Sequence, residues 1–241
     1  MLGMKADRLA VGQPGASISP PALESALIYS GLSIGIVPVN QPPSNVVLAD
    51  VCLMLEASWH LRCKVLPPVI IPEATLLDAS RKQYNADVML AEIERLLPRG
   101  SNRPSHVLAI TDRDIFGGDA RFVFSWQRGN ETNGVGVLST SRFTADIPDF
   151  YEPEVIATRR VALQSLSTTG SMFGFQRPTD PECPTAYPET LREFRQKRLR
   201  LCASEEQQRD ALVRRHGGGP APFTPELTQR VQQFYRTYFV E

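Results

Sequence analysis

The chain predicts an α/β fold: a largely parallel sheet with an antiparallel strand at one edge, two helices packed on it, and a smaller helical C-terminal part. Three observations predict this. Two strand–helix–strand units follow one another between residues 33 and 112, and such units imply right-handed crossovers and parallel strands. The next two strand patterns, ARFVFSWQ (120–127) and GVGVLSTSRF (134–143), have no helix between them, so one of them pairs antiparallel at the edge. Helical patterns then run from about Val155 to Phe173 and from Leu227 to Tyr238.

Each element follows from its residues in turn. Residues 1–20, rich in Gly, Pro and Ser, read as a flexible leader. SIGIVPVN (33–40) is a buried strand, ended by Pro42 and Pro43. Ser44 is placed to cap the next helix, whose apolar face is Val47, Val51, Leu55 and Trp59. CKVLPPVII (63–71) is extended, and its prolines assign it to an edge or a bulge. A second amphipathic helix over 79–97 turns Tyr84, Val88, Ala91 and Leu96 inward, with Arg81, Lys82, Glu92 and Glu94 outward. SHVLAITD (105–112) is the third strand.

Beyond the 155–173 helix come a loop, QRPTDPECPTAYPE, a charged helix and the linker HGGGPAP. A last helix starts at the cap Thr224 with Pro225 in its first turn and shows the stripe Leu227, Val231, Phe234 and Tyr238. The chain thus divides into a leader (1–20), a main domain (21–205) and a C-terminal linker and helix (206–241).

Composition narrows the function classes. Of 241 residues, 42% are hydrophobic and 22% charged, as in a soluble globular protein. The 26 basic residues balance 26 acidic ones, so a nucleic-acid partner is not expected. LREFRQKRLR (191–200) reads as one solvated helix face, because Leu191, Phe194 and Leu199 interrupt it. Four cysteines, Cys52, Cys63, Cys183 and Cys202, are too few for a disulfide-dense scaffold. No apolar run is long enough to span a bilayer, and the expectation is a cytoplasmic protein without a membrane partner.

The order RKQYNADVMLAEI, VLAITDRDIF, ARFVFSW and GVGVLSTSRF, across residues 33–205, is similar to the motif order of archaemetzincins, a branch of the metzincin zinc peptidases. The resemblance implies a twisted mixed sheet over two helices, with an active-site-type helix beneath a cleft. In that family the helix carries H-E-x-x-H-x-x-G-x-x-H. A cysteine follows the third histidine, then Cys-x-Met, and later Cys-x-x-Cys. Three histidines bind the catalytic zinc, glutamate is the general base, and four cysteines bind a second zinc.

Laying the motif glycine on Gly174 sets the register. The histidine positions then hold Ser167, Ser171 and Arg177, and Thr168 stands in place of the glutamate. Pro178 and Thr185 replace the first cysteine and the methionine, Cys183 and Cys202 keep cysteine positions, and Glu205 replaces the last cysteine.

Hydroxyls are poor substitutes for imidazole, and a guanidinium repels a divalent cation. No carboxylate stands at Thr168 to take a proton from water. On this register no catalytic residue and no cofactor remain, zinc included. Cys183 and Cys202 read as a remnant: two small buried side chains, two thiols able to form a disulfide, or, with Glu205, a degenerate metal site. His60, His106 and His216 are scattered, and Ser167 and Ser171 have no base at helical spacing. Asp112, Asp114 and Asp119 either fix a turn or coordinate a hard cation. Gln164, Ser167 and Ser171 form a polar stripe, facing a cleft or simply solvent.

In metzincins the substrate lies extended along an edge strand. The matching segment here contains Gly134, Val135, Gly136 and Val137, with Arg177 above it to attract a carboxylate. Three functions follow: a pseudopeptidase that binds peptide or protein in a zinc-free cleft, a zinc-dependent metallopeptidase with non-standard ligands, or a structural scaffold with a vestigial cleft.

Overall fold

A computed structural model describes residues 31–238 apart from 45, 98–99, 101–102, 146, 148–151, 199 and 219–223. The leader, Leu199 and part of the HGGGPAP linker lie outside the described residues. In chain order the elements are β1 (Ser33–Pro38), α1 (Leu48–Trp59), β2 (Arg62–Val65), α2 (Glu73–Leu76), β3 (Leu77–Asp78), β4 (Gln83–Asn85) and α3 (Ala86–Leu96). They continue with β5 (His106–Thr111), β6 (Ile115–Phe116), β7 (Ser125–Gly129), β8 (Gly134–Ser139), α4 (Pro153–Met172), α5 (Ala203–Arg215) and α6 (Pro225–Tyr238). A 3-10 turn at Leu191–Arg195 precedes α5.

The main sheet has the order β2-β1-β5-β8-β7. The first four strands run parallel, and β7 pairs antiparallel with β8 at the edge. This is the arrangement that two strand–helix–strand units and a helix-free strand pair predict. Alternation along each strand feeds two cores. Val37, Val107, Ala109, Val135 and Val137 pack with the buried face of α3. Ile34, Ile36, Leu108, Ile110 and Leu138 pack on the opposite side with α1, α4 and α6. Helices therefore cover both faces, which a largely parallel sheet requires.

Several expectations shift. The helix expected over 79–97 begins at Ala86, where Asn85 Oδ1 accepts from Asp87 N and Val88 N at 2.9 and 3.2 Å. The preceding residues form a small sheet, β3-β4-β6, so Tyr84 is a strand residue. The buried face of α3 is Ala86, Met89, Leu90 and Ile93, and Ala91 and Leu96 are exposed. Phasing the helical period on Tyr84, which is a strand residue, rotates the inferred face. Ser44 does not cap α1; the helix starts at Leu48, and Thr158 Oγ1 of α4 accepts from Val47 N at 3.1 Å. The charged helix divides into the 3-10 turn and α5, and α5 runs across the boundary expected at residue 205.

At the C-terminal side the cap reading holds, since Thr224 Oγ1 accepts from Leu227 N at 3.1 Å. Phe234 and Tyr238 are buried, and Tyr238 OH donates to Asp50 Oδ2 of α1 at 2.6 Å. Among the described residues no helix is long and apolar enough to cross a membrane. All four cysteines are paired, Cys52 with Cys63 and Cys183 with Cys202.

Candidate functional site

α4 is enclosed along most of its length, polar residues included: Gln164, Ser165, Ser167, Thr168 and Thr169 are all buried. Unpartnered buried hydroxyls and amides are costly, and most here find partners, although Gln164 Oε1 and Ser165 Oγ have none among the described residues. Thr168 and Thr169 Oγ1 donate back to the carbonyls of Gln164 and Ser165 at 2.8 and 2.7 Å. Gln164 Nε2 donates to Ser125 Oγ at 2.9 Å. Ser167 Oγ donates to Thr185 O, also at 2.9 Å, because the loop after α4 returns over this part of the helix. The stripe is thus internal, and solvent exposure does not explain it. Ser171, one turn on, is half-buried.

The helix ends at Met172, and Gly174 turns the chain at φ +83°, where a side chain is strained although the space around it is open. Arg177 is exposed, and its guanidinium carbon lies 4.8 Å from the Tyr187 ring centroid. Tyr187 OH in turn accepts from Phe124 N at 3.2 Å, and burial pushes its phenol pKa up. Arg177 is therefore held, through Tyr187, beside the start of β7. Nothing local in the sequence marks Tyr187 for this role beyond its aromatic character.

One site expectation is corrected. Gly134, Val135, Gly136 and Val137 do not form an edge, because β8 is hydrogen-bonded to β5 on one side and β7 on the other. Their glycines instead admit α4. A Cβ at Gly136 would lie 2.9 Å from Met172 Sδ, and one at Gly134 would lie 2.8 Å from His106 Cδ2. The edge of the sheet on this side is β7, Ser125–Gly129, and β2 forms the opposite edge.

A catalytic zinc does not fit the donors at this position. Ser167 and Thr168 have turned their hydroxyls to carbonyls, and Arg177 brings a fixed positive charge. The histidines lie elsewhere. His106 has Nδ1 3.0 Å from Ser105 Oγ and Nε2 2.9 Å from Asn130 O, and burial pushes its pKa down to about 4. His60 closes α1, with its pKa lowered by burial, and His216 follows α5 with Nε2 3.8 Å from Glu131. Among the described residues, no histidine belongs to a group of three potential metal donors. Asp114 is taken by the Arg142 fork at 2.8 and 2.6 Å and by Gln83 at 2.7 Å. Burial raises its pKa, but these hydrogen bonds outweigh it and hold the carboxyl low. This aspartate serves a loop, not a cation.

The cysteine remnant is more compact. Ligand atoms of Cys183, Cys202 and Glu205 lie within 4.8 Å of one another. With the two sulfurs joined, one carboxylate is left, and it does not fit zinc alone. Glu205 accepts from Thr185 Oγ1, and burial pushes its pKa up to about 7. Lys197 Nζ donates to the carbonyls of Cys183 and Ala186 at 3.0 and 2.5 Å. Apart from both positions, a cavity of about 440 Å³ lies between α1, α5 and α6, lined by Leu53, Met54, Arg209, Val231 and Phe234.

No family profile matches the chain, and no curated protein matches it. Solved structures do. The archaemetzincin of Archaeoglobus fulgidus, complexed with malonate, is 21% identical with a TM-score of 0.58, over 73% of this chain and 99% of that one. The archaemetzincin of Methanopyrus kandleri is 18% identical with a TM-score of 0.61, over 76% and 97%. A zinc-dependent peptidase from Methanocorpusculum labreanum is 20% identical with a TM-score of 0.60, over 73% and 100%. The order of the strands, the enclosed helix α4 and its glycine turn, taken with these likenesses, establish that the chain has an archaemetzincin-like fold.

Proposed function

We propose that this protein is a pseudopeptidase: an archaemetzincin-like domain that binds a peptide or protein segment along β7 without zinc and without cleaving it. The observation that carries the reading is Ser167, buried at 2% exposure with its hydroxyl spent on Thr185 O at the first histidine position. Hydrolysis by the family's route needs a metal-bound water and a base to deprotonate it. Thr168, at the base position, donates its proton to Gln164 O and offers no carboxylate. The scatter of the three histidines argues against a metallopeptidase with relocated ligands.

Binding needs none of those groups. The main sheet ends at β7, so the outer backbone groups of that strand can pair with an added strand. Arg177, stacked on Tyr187, keeps a planar fork of donors for a carboxylate on the incoming chain. These two features favour a binding cleft over a vestigial one.

A peptide-library pull-down with wild type and Arg177→Ala, combined with elemental analysis, tests the reading. Enrichment of carboxylate-bearing peptides by wild type, lost in the variant, upholds it. Stoichiometric zinc with chelator-sensitive proteolysis overturns the inactivity. No enriched peptide, or enrichment indifferent to Arg177→Ala, overturns the cleft.

A further inference from the structure

The segment 181–187 carries two groups on which the candidate site depends. Thr185 O holds Ser167, and Tyr187 ties Arg177 to the start of β7. Its own anchors lie on one side, toward α5. Cys183 is bonded to Cys202, the residue that precedes α5. Lys197 Nζ gathers the carbonyls of Cys183 and Ala186, and Arg198 N donates to Glu182 O at 2.8 Å. Glu205, in the first turn of α5, receives the Thr185 hydroxyl.

The register places these groups where the resemblance implies a second zinc on four thiolates. Two thiolates are missing and the remaining two are consumed in a bond, so the position does not fit that metal. A covalent link has taken over the clamp. We propose that the Cys183–Cys202 disulfide is a redox-sensitive latch: its reduction frees segment 181–187, uncovers Ser167 and releases Tyr187 and Arg177 from β7. The latch can be reached from solvent, since Cys202 is half-buried while Cys183 is fully enclosed.

The chemistry is thiol–disulfide exchange with a dithiol reductant. One reductant thiolate attacks Cys202 Sγ, breaking the Cys183–Cys202 bond and expelling Cys183 as a thiolate. The second reductant thiolate then displaces Cys202. Two electrons pass to the protein, the reductant leaves as its own disulfide, and its two protons end on the two cysteines. Once the bond is open, the covalent restraint on the loop is gone and only non-covalent contacts hold 181–187 to α5.

The effect on peptide capture rests on the pseudopeptidase reading, whereas the movement of the segment does not, and the experiment separates them. Hydrogen exchange resolved by mass spectrometry is followed on oxidised wild type, on wild type treated with dithiothreitol, and on Cys183→Ser/Cys202→Ser, which retains Cys52–Cys63. Amides of 183–187 exchange about tenfold faster in the second and third samples, while β5 and β8 are unchanged. The serine variant is insensitive to the reductant over 183–187. If that variant does not fold, graded reduction of wild type with alkylation mapping gives the same comparison.

Equal exchange of 183–187 in all samples overturns the latch. Free thiols at Cys183 and Cys202 with one chelator-removable zinc also overturn it. Faster exchange without any change in captured peptide upholds the latch and counts against the β7 cleft.

Discussion

α3 covers one face of the sheet with Ala86, Met89, Leu90 and Ile93 and turns Asp87, Ala91 and Arg95 to water. α4 covers the other face and is itself covered by α1, by α6 and by the loop that brings Thr185 to Ser167. A helix with one wet side can rely on an apolar stripe. One with no wet side needs most of its polar groups bonded and its side chains small enough for close neighbours. The threonines of α4 do the first, and Gly170, where a Cβ would lie 3.3 Å from Trp59, illustrates the second. What separates the two helices is how much surface the rest of the chain lays over them, not their distance from the sheet.

The largest expected effect breaks the comparison directly. Ser165→Lys places an ammonium inside the α4 layer and costs at least ~4 kcal/mol, while Ala91→Lys on the exposed side of α3 stays within ~0.5 kcal/mol. Urea denaturation of both variants checks it, and similar midpoints would mean α4 is not enclosed.

The next effect is one of pH. His106 opens β5, its ring 4.4 Å from that of Phe173 at the end of α4. Burial lowers its pKa from 6.5 to about 4, so the unfolded chain binds the proton more readily. The resulting stability is present above pH 6.5 and is lost as pH falls through about 4, a contribution of about 3 kcal/mol. Denaturation from pH 7 to 4 should show this loss, and His106→Gln should flatten it.

Glycines sharpen the contrast between crowding and backbone strain. Gly134→Ala drives a methyl into His106 and Met172 and costs ~2 kcal/mol, whereas Gly174→Ala meets open space and pays only the left-handed backbone, ~1 kcal/mol. Thermal melts of the pair read the difference. The smallest change is Ser167→Ala, which removes one hydrogen bond to Thr185 O and costs ~1 kcal/mol in the same melts.

Much of the architecture is legible in the residues. Long periodic runs mark α4 and α6, short β-branched runs mark β1 and β5, and Gly174, on which the motif register is laid, does turn the chain with a positive φ. The start of α3 is not legible, because Asn85 competes with a polar run that also suits a helix. β3, β4 and β6 are too short to show any period. In β8 the pattern is ambiguous: glycines alternating with valines suit a bare edge as well as an inner strand pressed by a helix, and only the pairing with β5 and β7 decides. Tyr187 and Lys197 escape a linear reading for another reason. Their roles depend on where a proline-rich loop returns, which is set by partners such as Phe124 and Glu205.

Tyr238 OH donates to Asp50, and Phe234 shares an apolar cluster with α1 and α4. The layer built around α4 is therefore completed by a residue 188 positions away from its partner. On a ribosome that layer stays unfinished, with its oily side available to chaperones, until synthesis has carried residue 238 clear of the exit tunnel.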